Sequence, residues 1–145
     1  MKITSSVLFI LASALVAVAY TSVGAQLPAS VLAGVYTDAQ AKRGEKVYGD
    51  NCVTCHGSKL QGTDTAGPTL SGPDFVNGWK DMTVAALLAK ISGDMPSNAP
   101  GSLKPEEYAD VLSFVLSANK YPAGKTEMPT DPSALKGVKM AAAPK

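Results

Sequence analysis

Three side chains able to do chemistry stand within five residues: Cys52, Cys55 and His56, in the run Cys52-Val53-Thr54-Cys55-His56. The spacing is C-x-x-C-H, the attachment sequence for c-type haem. Each thiol can add across one vinyl group to form a thioether. Two intervening residues let both sulfurs act from one turn of chain, and the adjacent imidazole is carried to where it can bind the iron. These are the only cysteines and the only histidine in the 145 residues, so one site uses all three. The same residues have blander readings. A thioredoxin-like C-x-x-C calls for a βαβ setting, and no alternating strands are legible here. A structural zinc site calls for four nitrogen or sulfur ligands, where this chain offers three. A disulfide between residues so close would close a very small loop and stabilise little.

An iron bound by His56 has an opposite axial position. A second side chain there makes an electron carrier, and an open position makes a ligand-binding or catalytic centre. With no second histidine, the candidates are Met82, Met95, Met128 and Met140. Met82 abuts a helix start, and Met128 and Met140 lie near the C-terminus. Met95 lies in the proline-bearing segment Asp94-Met95-Pro96-Ser97-Asn98-Ala99-Pro100-Gly101, which is unsuited to helix and free to aim a thioether. Met95 also reads as a packing methionine.

The elements that must position these groups are helical. Thr37-Asp38-Ala39-Gln40 has the form of a capping box. It opens a helix running to Asp50 or Asn51, with Ala41, Gly44, Val47 and Tyr48 along one face. Gly44 inside a helix costs up to about 1 kcal/mol against alanine, which a close approach by another helix would offset. Val84, Leu87, Leu88 and Ile91 share one face of a second helix, capped by Asp81 or Thr83 and ended by Gly93. Pro105-Glu106-Glu107 opens a third, with an apolar stripe of Tyr108, Val111, Leu112, Val115 and Leu116, ending at Asn119. Between the motif and the second helix, 57–78 is rich in glycine and reads as turns. So long a loop needs something to pack on. Its apolar residues Leu60, Pro68, Leu70 and Phe75, with Trp79, are candidate walls of a haem pocket. Trp79 reads equally as a core aromatic or as an indole donor to a haem propionate.

The N-terminus begins Met1-Lys2 and continues apolar and small to Val23-Gly24-Ala25, the pattern of a signal peptide cut before Gln26. An uncleaved anchor is the alternative, as the apolar run is nearly long enough to span a membrane. Haem is attached to C-x-x-C-H outside the bacterial cytoplasm, so export agrees with the motif. The formal net charge is +1, and zero without Lys2, which argues against nucleic acid as a partner. The expected divisions are a signal peptide over 1–25, an irregular leader over 26–36, the functional domain over 37–120, and a flexible Ala/Pro/Lys-rich tail over 121–145.

The chain resembles the class I c-type cytochromes. The elements that carry the likeness occur in the family's order over 37–119: Gly44 and Tyr48, C-V-T-C-H, Gly67-Pro68-Thr69-Leu70-Ser71-Gly72, Trp79, Met95-Pro96, and a last helix with Val111 and Phe114. The resemblance implies an all-α small cytochrome c fold, with three to four helices around one covalent haem c. It implies attachment through Cys52 and Cys55 and iron ligation by His56 and Met95. It also implies contact of Gly44 and Tyr48 with Val111 and Phe114, and a Pro68 carbonyl that accepts the His56 Nδ1–H. Lys104 departs from the family's usual Ser or Thr cap. Residues 95–124 are similar to the cytochrome domains of quinohaemoprotein alcohol dehydrogenases and to small periplasmic cytochromes that serve them. That implies a monomeric periplasmic electron carrier in transient complexes, not an enzyme, with a quinoprotein dehydrogenase as donor and the respiratory chain, through a terminal oxidase, as acceptor. A haem enzyme or gas sensor with an open sixth position remains the alternative, although Arg43 on the first helix is ill placed for peroxidase chemistry. A tethered cytochrome subunit of a dehydrogenase complex is another.

Overall fold

A computed structural model describes residues 27–142. It is helical, with five α-helices, two short 3-10 turns and, among the described residues, isolated bridges in place of β-strands. Helix α1 is Asp38–Asn51, α2 is Val53–His56, α3 is Gly72–Trp79, α4 is Val84–Asp94 and α5 is Pro105–Ala118. The proposed signal peptide over 1–25 lies outside the described residues. No helix among the described residues is long and apolar enough to cross a membrane.

Helices α1 and α5 form the frame. Thr37 Oγ1 accepts the Gln40 N–H at 3.2 Å and starts α1. Pro105 and the acids Glu106 and Glu107 start α5. The Glu107 carboxylate accepts the Lys104 N–H at 2.8 Å, so one half of a capping box survives where Lys104 supplies no acceptor. The two helices meet at Gly44, where a Cβ would stand 1.8 Å from the Asp110 carbonyl oxygen. That contact answers why a glycine sits inside α1: only hydrogen lets the two backbones touch. One turn on, the Tyr48 and Phe114 rings lie with centroids 5.2 Å apart, tilted by 49°. Arg43 forks onto both carboxylate oxygens of buried Asp110, at 2.9 Å each, and reaches Glu127 at 3.0 Å. Helix α4, begun by Thr83 Oγ1 accepting the Ala86 N–H at 3.1 Å, buries Val84, Leu87 and Leu88 against this frame.

Helix α3 corrects the reading of 57–78 as turns alone. Its glycines and Pro73 look like breakers, yet Pro73 stands in the first turn, where proline is tolerated. Phe75 and Val76 are buried and hold the helix down. The three to four helices expected are therefore joined by α3 and by the one-turn α2.

The flexible tail is a larger correction. Residues 121–142 lie on the globule, with Tyr121, Met128, Leu135, Val138 and Met140 buried. A 3-10 turn, Pro132–Leu135, seats Leu135. The Gln40 amide pairs with Met128 in both directions, donating to its carbonyl at 3.2 Å and accepting its N–H at 2.7 Å. Further on, Val84 N–H donates to the Val138 carbonyl and Met140 N–H to the Met82 carbonyl, both at 2.9 Å. An Ala/Pro/Lys average hid five buried apolar anchors, and their partners are remote in sequence. The leader is likewise more ordered than expected. A 3-10 turn over Val31–Ala33 follows Ser30, and Val31, Val35 and Tyr36 are buried. The Tyr36 hydroxyl donates to the Tyr121 carbonyl at 2.5 Å, joining leader and tail.

Candidate haem site

Cys52 both ends α1 and begins α2. Its N–H donates to the Tyr48 carbonyl at 2.9 Å, and its own carbonyl accepts the His56 N–H at 2.9 Å and the Cys55 N–H at 3.2 Å. This single helical turn brings Cys52, Cys55 and His56, three and four residues apart, to one side of the chain, with His56 buried. Both cysteines are free thiols and half-buried. Burial, and then the neighbouring Cys55 sulfur, pushes the Cys52 thiol up to about 11. A redox-active C-x-x-C needs a lowered thiol pKa, so this environment opposes the thioredoxin-like reading. Among the described residues, no group of three or more His, Cys, Asp or Glu side chains is arranged to hold a metal ion, which leaves the zinc reading without its ligands.

The His56 Nδ1 lies 2.9 Å from the Pro68 carbonyl oxygen. A carbonyl only accepts, so Nδ1 carries the proton and Nε2 keeps its lone pair. Among the described residues Nε2 has no hydrogen-bond partner, and no buried polar side-chain atom is left unpaired. The imidazole therefore offers an accessible basic nitrogen in a fixed tautomer. Gly67 makes this approach possible, since a Cβ there would come within 2.9 Å of the Cys55 carbonyl oxygen and 3.1 Å of the imidazole ring.

The loop that presents Pro68 is held from several sides. Gly62 N–H donates to the His56 carbonyl at 2.8 Å, and Thr63 Oγ1 to the Cys55 carbonyl at 3.0 Å. Thr69 Oγ1 and Leu70 N–H both reach the Leu60 carbonyl, at 3.0 and 2.8 Å. Buried Asn119, at the end of α5, donates to the Leu70 carbonyl at 2.8 Å and accepts the Gly72 N–H at 3.0 Å. From α1, the Tyr48 hydroxyl donates to the Gly57 carbonyl at 2.6 Å. From the sequence Asn119 is legible as a helix end. Its amide is a signal that could have been read, since a buried amide after a helix must find partners.

Leu70 and Trp79 are half-buried against the core, as are Val53, Ile91 and Leu103. Trp79 is the last residue of α3, and its carbonyl accepts the Met82 N–H at 2.9 Å. Met95 caps α4 in extended conformation and is half-buried; its N–H donates to the Ile91 carbonyl at 3.0 Å. Its own carbonyl accepts the Tyr108 hydroxyl at 2.7 Å. Two free thiols on one face, an imidazole with an open Nε2 and half-covered apolar side chains fit a covalently attached haem.

Residues 39–115 match the family described as cytochrome C oxidase, cbb3-type, subunit III. The chain is 32% identical over 97 residues to the cbb3-type cytochrome c oxidase subunit CcoP of Rubrivivax gelatinosus, a match covering 66% of this chain and 31% of that protein. It is 40% identical over 80 residues to thiosulfate dehydrogenase of Allochromatium vinosum, covering 51% of this chain and 30% of the relative. It is 30% identical over 87 residues to cytochrome c-551 of Bacillus subtilis, covering 60% of this chain and 70% of the relative. The chain thus spans about a third of the length of the first two relatives and most of the third. A contiguous C-x-x-C-H turn beside an oriented histidine, in a helical fold matched over 39–115, places the chain in the cytochrome c family, as a class I c-type cytochrome with the covalent haem c and electron-transfer role that membership implies.

Proposed function

We propose that the chain is a single-haem electron carrier in which Cys52 and Cys55 hold haem c, His56 ligates the iron through Nε2 and Met95 supplies the opposite thioether. The observation that carries this is the 2.9 Å contact between His56 Nδ1 and the Pro68 carbonyl, which leaves Nε2 as the ring's only available ligand atom. Haem c, when bound, supplies a one-electron Fe(III)/Fe(II) couple. The Pro68 carbonyl orients the imidazole and makes it a stronger ligand. Tyr48 and Asn119 hold the backbone on either side of that pair in place. Leu70 and Trp79 keep water from the site, and the Trp79 indole N–H is available to a propionate.

The carrier works in the periplasm, exported by residues 1–25 and cut before Gln26. Its donor is a quinoprotein dehydrogenase and its acceptor a terminal oxidase; it is a carrier and not itself an enzyme. The likeness of 95–124 to alcohol-dehydrogenase cytochromes supports the donor, and the respiratory oxidase subunit among the relatives supports the acceptor. A second reading, a tethered subunit of an oxidase or dehydrogenase complex, is favoured by the names of the two longer relatives.

The test is an absorption spectrum of the protein exported from a host that attaches haem, oxidised and reduced, before and after denaturation. Colour retained by the denatured chain, a low-spin reduced spectrum and the weak sulfur-to-iron band when oxidised are expected. Retained colour with a high-spin spectrum would refute Met95 ligation and favour a catalytic or gas-binding centre. Loss of colour on denaturation would refute covalent attachment.

A further inference from the structure

We propose that Tyr108 is a positioning residue for the Met95 thioether, one phenol that pins both ends of the ligand loop to α5. The proposal rests on Met95 being the axial ligand. The loop runs from Met95, where α4 ends, to Leu103, just before α5. Its own hydrogen bonds are local turns: Ala99 N–H to the Pro96 carbonyl at 2.8 Å and Ser102 N–H to the Ala99 carbonyl at 3.2 Å. Such turns shape the loop without fixing where it sits. The Tyr108 hydroxyl provides that anchorage. It donates to the Met95 carbonyl at 2.7 Å and accepts the Leu103 N–H at 3.3 Å. One oxygen thereby uses its donor and an acceptor position on two loop residues eight apart.

The phenol is itself fixed. Tyr108 is buried in the first turns of α5, two residues before Asp110, whose carbonyl packs on Gly44. The α1–α5 contact, which frames the histidine side through Tyr48 and Cys52, therefore also sets the backbone of Met95. A neutral thioether is a weak iron ligand, so its retention depends on how little the loop gains by leaving. Without the hydroxyl, the Met95 carbonyl and Leu103 N–H lose their partner and are better served by water, which favours the departed loop. The ring alone would fill the same space in phenylalanine, so the hydroxyl is separable from the packing.

The test is Tyr108→Phe in the haem-loaded protein, read by the affinity of the oxidised form for imidazole and by the pH at which the sulfur-to-iron band is lost. The variant should keep that band at neutral pH, bind imidazole about fivefold to tenfold more tightly, and lose the band at a lower pH than the parent. Tyr36→Phe, which removes a buried hydroxyl that joins the leader to the Tyr121 carbonyl and has no part in the haem site, should leave imidazole affinity within about twofold. An equal rise in Tyr36→Phe would overturn the proposal, because general loosening would then explain both. If Met95→Ala opens the iron but Tyr108→Phe leaves affinity and band unchanged, the positioning role is wrong and the ligand assignment stands. If Met95→Ala keeps the sulfur-to-iron band, the ligand assignment fails and this proposal with it.

Discussion

Gly44→Ala isolates the contact between α1 and α5. A Cβ at Gly44 would stand 1.8 Å from the Asp110 carbonyl oxygen, 2.3 Å from its carbon and 2.9 Å from the Val111 nitrogen. Non-bonded heavy atoms settle at about 3.5 Å, so the helices must part by roughly 1.5 Å. All three obstacles are backbone, and no rotamer change relieves them. Overpacking costs about 1–3 kcal/mol, with this site at the upper end. Alanine recovers about 1 kcal/mol of helix propensity. The net loss is about 2 kcal/mol, which for a domain of this size lowers Tm by roughly 8 °C. Gly49 is the matched control on the same helix: it is exposed, and a Cβ there meets nothing within 4 Å. Gly49→Ala should therefore raise Tm, by roughly 2–4 °C. The assay is thermal unfolding of both haem-loaded variants followed by far-UV circular dichroism. A Gly44→Ala protein as stable as the parent would show that the helices do not touch through this residue.

Met95→Ala should leave haem covalently bound while the reduced protein gains carbon monoxide binding, read by absorption; an unchanged low-spin spectrum would exclude Met95 as ligand. Gln40→Ala strips the buried Met128 N–H and carbonyl of their partners, at a cost of about 1–3 kcal/mol. Limited proteolysis should then cut within 121–142 while the reduced spectrum is unaltered, and equal resistance to cleavage would refute the clasp. Burial, and then the Cys52 sulfur, pushes the Tyr48 hydroxyl up to about 12. The folded state therefore holds this proton more tightly, so the contribution is intact below the ordinary tyrosine value and is lost as pH rises from about 10 towards 12. Tyr48→Phe should flatten the fall in denaturant stability over that interval, and an equally steep fall would contradict the assignment.

The chemistry was legible because it is local. Cys52, Cys55 and His56 stand within five residues, and one helical turn suffices to arrange them. The helices with regular apolar stripes, α4 and α5, were legible for the same reason, as was the Thr37 cap. Gly44 announced a close approach, since a glycine in mid-helix calls for an offsetting gain. Helix α3 was not legible: Gly72 and Pro73 carry breaker signals, and what holds the helix is the burial of Phe75 and Val76. Gln40 shows a local rule overridden. Its position completes a capping box, yet its amide turns away from Thr37 to clasp Met128, 88 residues on.

Class, cofactor chemistry and helical character thus followed from residue types at short spacing, because covalent geometry and helical period act within a few residues. The seating of 121–142, the Asn119 clamp on the Pro68 loop and the Tyr108 bridge to Met95 could not be read that way. Each joins groups far apart in sequence, and polar groups choose partners only after burial removes water as the competing one. Composition alone made 121–142 look like a solvated tail; the apolar faces of the folded helices made it part of the core.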